Sequence, residues 1–247
     1  MKKILTMILA MLMILALAAC GESAPAPVQM PQTNNTTAAP TTEATEAETA
    51  PVETAAPETE PVETTAPVES AETAEILGVV NGTVYSNNAL GLSIDLPAEY
   101  VYSTYEEILA SNQLAETATA EEINAMSSLM TMMAINNGTG SSINVMVEQG
   151  TEEAVQSFDL AASFAEQEAG IKAAYEQLGY TEVATGCGQV EIDGTVVDAL
   201  VIQAKLNGQD CAALSFGYKH GNKIVYVSLT AMNEADAEVL TNAITLH

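Results

Sequence analysis

The chain has 247 residues and a formal charge of -27, with six Lys, no Arg and 33 acidic residues. A surface so anionic repels nucleic acid, and it has no guanidinium for bidentate phosphate contacts, so nucleic-acid partners are excluded. It repels anionic headgroups equally, so membrane attachment requires something other than a basic patch.

The N-terminus provides that attachment. Lys2 and Lys3 precede an apolar run from Ile4 to Leu17, interrupted only by Thr6 and followed by Ala18-Ala19-Cys20-Gly21. This is the build of a secretory signal, too short and too abruptly polar afterwards for a comfortable membrane span. Leu17-Ala18-Ala19-Cys20 resembles the lipobox of bacterial lipoproteins at every position. That resemblance implies removal of residues 1–19, a diacylglyceryl group on the Cys20 thiol, and residence on the outer face of the cytoplasmic membrane. Two acyl chains anchor firmly where a single one binds only reversibly.

Residues 20–75 are composed mostly of Ala, Thr, Glu, Pro and Val, and eight of the nine prolines precede residue 76. Pro-Val-Glu followed by Thr or Ser recurs at Pro51, Pro61 and Pro67. Too little apolar surface is available to offset ordering entropy, so a disordered stalk is expected. Fully extended, it would reach roughly 170 Å at about 3.1 Å per residue. Its threonines are open to O-glycosylation.

Residues 76–247 contain every Tyr and Phe and are expected to form one globular domain. Ile76 to Ser86 reads as a hairpin around Asn81-Gly82, and Gly91 to Leu96 as a strand stopped by Pro97. Thr104 caps a short helix to Ser111. Thr119 and Glu122 form a capping box ahead of a helix expected to run to about Asn136, with Ile123, Met126, Met130 and Met133 on one stripe. Asn137 to Gly140 is a loop, followed by a strand from Ile143 to Val147. A longer helical region carries Leu160, Phe164, Ile171, Tyr175 and Leu178 on one face, with Gly170 a candidate kink and Gly179 a C-terminal cap. Four strands (183–192, 195–206, 209–219 and 223–231) follow as a meander turned at Asp193-Gly194, Asn207-Gly208 and Gly221-Asn222. A last helix starts after Asn233.

The fold class is therefore α+β, an antiparallel sheet with a C-terminal four-strand meander flanked by helices. The order resembles the PsbP-type α/β/α sandwich found in clostridial surface lipoproteins. The residues carrying the resemblance are Tyr85-Ser86-Asn87, Gly91-Leu92-Ser93-Ile94-Asp95-Leu96-Pro97-Ala98-Glu99-Tyr100 and Tyr105-Glu106-Glu107, with Tyr100 where a Trp is more usual. The family implies a non-enzymatic accessory or binding role, and no site residue carries over.

Few side chains here invite chemistry. Cys187 and Cys211 fall on the first and third meander strands, two strand spacings apart, and two-residue turns pair Cys187 with Leu200 and Cys211 with Ala204, which staggers them further. That is beyond disulfide reach, so two free, buried thiols are expected. A nucleophilic pairing of either with His220 or His247 has nothing to orient the base. Met126, Met130, Met132, Met133 and Met146 could suit Cu(I), but the helical stripe expected for three of them is how core methionines also look. Met132, off that stripe, could instead be exposed and help form an adaptable binding surface. Asp193, Asp210, Glu152 and Glu153 lack calcium-loop spacing, while Glu106-Glu107 and Glu121-Glu122 suit helix starts. No catalytic residue, metal site or cofactor is assigned. The expectation is a surface-tethered, non-catalytic lipoprotein that binds a protein or cell-wall component, or supports a membrane complex. The alternative is a small extracellular hydrolase or sensor, which a reactive thiol of depressed pKa would favour.

Overall fold

The computed structural model describes residues 71–247. Cys20, the signal sequence and nearly all of the expected stalk lie outside the described residues. The first element is helix α1 (Ala71–Leu77). It takes in 71–75, expected as the end of the stalk, and the first two residues of the expected hairpin. The hairpin itself is β1 (Val79–Asn81) with β2 (Val84–Asn87). Asn81 pairs with Val84, so the turn is Gly82-Thr83, one residue later than the Asn-Gly signal suggested.

Two antiparallel sheets form the body. The smaller has the order β1-β2-β3-β11, where β3 is Leu92–Asp95 and β11 is Ile244–Leu246. In the larger, the order is β4-β5-β6-β10-β9-β8-β7. Its first three strands are β4 (Tyr100–Tyr102), β5 (Ser128–Asn136) and β6 (Ser142–Gln149). The meander supplies the rest, as β7 (Thr181–Ile192), β8 (Thr195–Leu206), β9 (Gln209–His220) and β10 (Lys223–Ala231). Asp193 and Asn207 take φ of 48° and 53°, each followed by a glycine at positive φ, as a two-residue type I′ turn requires.

One core cluster joins the small sheet (Tyr85, Leu92, Ile94) to Val145, Val147, Phe216 and Val227 of the large one. Leu240 of helix α6 (Glu234–Asn242) belongs to the same cluster. A second cluster places Phe164, Ile171 and Tyr175 of helix α5 (Leu160–Gln177) with Leu200, Ile202, Cys211 and Tyr226. The rings of Phe164 and Tyr226 meet edge to face at 6.2 Å. Helix α5 runs unbroken through Gly170. It closes on Gly179 in a Schellman motif, with Tyr180 N–H bonded to Tyr175 O and Gly179 N–H to Glu176 O. The Tyr175 and Tyr180 rings, 4.9 Å apart, supply the hydrophobic contact that accompanies such a cap.

The expected helix to Asn136 is a correction. Thr119 does cap a helix through a complete capping box, but α3 spans only Ala120–Asn124, and Ser128–Asn136 is strand β5. An apolar run of Leu-Met-Thr-Met-Met-Ala-Ile buried on both faces has no period of its own. The helical spacing of its methionines was coincidental. Helix α2 (Tyr105–Ser111) has the expected Thr104 cap, with Glu107 completing the box. Strands β4 and β11, three residues each, carry no sequence pattern long enough to be noticed.

A tyrosine-walled cleft at the open end of the sandwich

The two sheets part at the β1 edge. Val80 and Tyr85 are cross-strand partners, so both side chains lie on one face of the small sheet. Opposite them, β5 is bulged between Met130 and Met132, leaving Thr131 as the extra residue. Between these walls, and closed at one side by Tyr102, Ser103, Thr104 and Tyr105, lies a cleft of about 230 Å³.

Its floor is held by a buried hydroxyl network. Tyr85 Oη donates to Leu77 O at 2.9 Å, lies 3.1 Å from Thr131 Oγ1, and accepts from Asn87 Nδ2 at 3.2 Å. Asn87 Nδ2 also donates to Ile76 O. Burial pushes the Tyr85 phenol up to about 12, against smaller lowering effects from the Thr131 and Asn87 hydrogen bonds. At Gly78, φ is +82°, and a Cβ there would lie 2.6 Å from the Tyr85 ring. Only glycine turns the chain out of α1 that close to the ring. On the far wall, Tyr102 Oη donates toward Thr83 O at 2.8 Å and Ile94 O at 3.0 Å, which fixes β4 against the small sheet.

The free edge of β5 beside this cleft is covered by a side chain. Asn112, just past α2, accepts from Met130 N–H at 2.7 Å and donates to Met130 O at 2.8 Å, completing the ladder as a strand would. Of the cleft residues, only Met132 was singled out from sequence as a candidate ligand. The only signal available was the Tyr-rich stretch from Tyr100 to Tyr105.

The residues that were singled out lie apart from the cleft, Met132 excepted. Both described thiols are free, and the register carries the expected Cys187–Leu200 and Cys211–Ala204 pairs. Cys211 is buried and donates to Ala204 O. Cys187 is exposed, contrary to expectation, because β7 is the outermost strand of its sheet and is flanked there by Gly186 and Gly188. Burial, the Glu168 charge and a thiol hydrogen bond to Glu168 Oε2 all push the Cys187 thiol up, away from the thiolate a nucleophile needs. His220 and His247 both pack beside Gly91, and His247 Nε2 lies 3.0 Å from Ser93 Oγ.

Four of the five methionines serve one core cluster, Met130 and Met146 as members and Met126 and Met133 packed against it. Met130 and Met146 face each other across β5 and β6 in that cluster. Met132, for which exposure was the alternative, is buried in the other, where the bulge turns it inward. Asp193 caps Leu246 N–H, and Glu152 and Glu153 occupy the first turn of helix α4 (Glu152–Ser157). Among the described residues, no three His, Cys, Asp or Glu converge as a metal site would require, and no helix is long and apolar enough to cross a membrane.

No family model matches the sequence, and no curated protein does. Solved structures do match. A protein from Bacteroides thetaiotaomicron aligns over 68% of this chain at 10% identity and a TM-score of 0.35. The chain spans about half of that protein, 49% of its length. LpqN, involved in cell envelope biogenesis of Mycobacterium tuberculosis, aligns over 63% of this chain and 82% of its own, at 9% identity and a TM-score of 0.32.

Proposed function

We propose that the chain is a lipid-anchored surface protein whose C-terminal domain is a non-catalytic binding module for a protein or another envelope component, or a support for a membrane complex. Cys20 carries the anchor, residues 20–70 hold the domain away from the membrane, and the cleft receives the partner. The observation that carries this reading is the cleft itself. It has an open mouth, aromatic walls and a floor whose hydroxyls are locked before any ligand arrives, and such preorganisation lowers the cost of binding. The upward shift of the Cys187 thiol speaks against the hydrolase alternative. The resemblance to PsbP-type accessory domains points the same way.

The test uses the mature chain with Cys20→Ser, so that it stays in solution. Its melting midpoint is followed against muropeptides, wall polymers and peptide pools. A bound ligand at about 100-fold over its dissociation constant stabilises by roughly 2.7 kcal/mol, a shift of about 5 to 10 °C for a domain of this size. A shift abolished by Tyr105→Ala supports the cleft as the site. Turnover of any of these probes would overturn the non-catalytic reading.

A further inference from the structure

Among the described residues β1 pairs only with β2, so its outer backbone edge is unpartnered. Val79 and Val80 on that edge are each 44% exposed. Val80 also lines the cleft. A strand added along β1 would therefore project alternate side chains over the gap between the sheets, beside Val80 and Tyr85.

The stretch of chain that builds this edge is one-sided in charge. Residues 71–132, which supply every wall of the cleft, contain nine acidic residues and no Lys, Arg or His. The four lysines of the described domain, Lys172, Lys205, Lys219 and Lys223, lie on α5, β8, β9 and at the start of β10. A second copy would bring the same acids face to face. The chain's own stalk is acidic too, and its prolines lack the N–H that strand addition uses. A cationic side chain is attracted by this field, and it can lay its methylene stem along Val80, Ile108 and Met132 with its head near the Tyr102 and Tyr105 rings.

We propose that the β1 edge and its cleft take an extended, lysine- or arginine-bearing segment of a protein partner. The segment adds as a fifth strand to the small sheet and places one cationic side chain in the tyrosine-walled recess. This rests on the binding-module reading above and names its partner class.

The probes are capped heptapeptides alternating Lys or Arg with Val and Thr. Their matched controls carry Glu for the cations, or N-methyl groups on alternate backbone nitrogens. Binding to the isotope-labelled mature Cys20→Ser chain is mapped by amide chemical shifts. The expected result is perturbation confined to residues 78–81, 102–105 and 131, with affinity falling several-fold as salt is raised from about 0.05 to 0.3 M. Binding should weaken at least tenfold with either control peptide. Equal binding by the Glu or N-methylated peptides, shifts centred on another edge such as β7, or no binding at about 1 mM would each overturn the proposal. If the cationic peptides fail while a muropeptide shifts the cleft residues, the binding-module reading survives and this one falls. If the peptides bind as described but are cleaved, the reverse holds.

Discussion

Ser141 Oγ donates a 2.5 Å hydrogen bond to Asp236 Oδ2 and accepts one of 2.9 Å from Met232 N–H, tying the turn between β5 and β6 to the start of α6. Ser141 is fully buried, so its hydroxyl cannot be replaced by water without rearrangement. Asp236 is also held by Asn233, the N-cap of α6. Ser141→Ala should therefore leave one donor and one charged acceptor short of a partner. Urea unfolding should report a loss of about 1 to 3 kcal/mol. Ser142→Ala is the control, and an equal effect from it would show that the network is not the cause.

Gly78→Ala should be more costly than an ordinary loop substitution. It combines a positive φ with a methyl placed 2.6 Å from the Tyr85 ring. Strain from the left-handed backbone and from overpacking each add about 1 to 2 kcal/mol. Thermal unfolding would read this directly. Gly194→Ala, where no atom lies within 4 Å of the new methyl, should show the backbone effect alone.

Alkali should unfold the domain before it ionises the buried phenols. Tyr85 is pushed from its usual 10.0 to about 12 by burial, and Tyr175, Tyr218 and Tyr226 are also raised chiefly by burial. A raised folded-state pKa gives stability that is complete below the unfolded value and is lost as pH climbs through the folded one. Stability should thus hold to about pH 10 and fall steeply toward 12, with Tyr85 alone accounting for on the order of 3 kcal/mol. Phenolate absorbance should rise together with loss of tertiary structure. A phenolate signal that develops fully in the folded state would contradict this.

Cys187 and Cys211 should separate cleanly in alkylation. Cys211 should react only on unfolding, and Cys187 in the native state but slowly, since Glu168 opposes the thiolate. Glu168→Gln removes that charge and should raise the Cys187 rate roughly threefold or more at mildly alkaline pH. An unchanged rate would mean that Glu168 does not govern the thiol.

How legible this was from the sequence depended on whether each element carried its own local signal. The meander is laid out by three two-residue turns, and even the Cys187–Leu200 register followed from counting residues between Asp193-Gly194 and Asn207-Gly208. The Thr104 cap and the Thr119–Glu122 capping box marked two helix starts correctly. They could not mark an end. From Ser128 onward the chain is buried on both faces, where strand and helix look alike in composition. Met132 shows the same limit: its burial is set by a bulge that no residue type announces. The cleft was invisible for a related reason. Its walls come from residues 77 to 132, brought together only when β1 and β2 fold over β5, and Gly78 acquires its meaning only from the Tyr85 ring above it.

The small sheet has one more consequence, for the timing of folding. The strand β11 pairs Ile244 with Ile94 and Leu246 with Leu92, so one edge of the sheet is contributed from about 150 residues downstream. The meander can form from neighbouring hairpins, but this closure brings together distant parts of the chain and is slow by comparison. As the chain is made from its N-terminus, β3 lacks its β11 neighbour until residues 244–246 are in place. Residues 244–246 are thus the latch of the small sheet, and without them β3 would be left as an open edge.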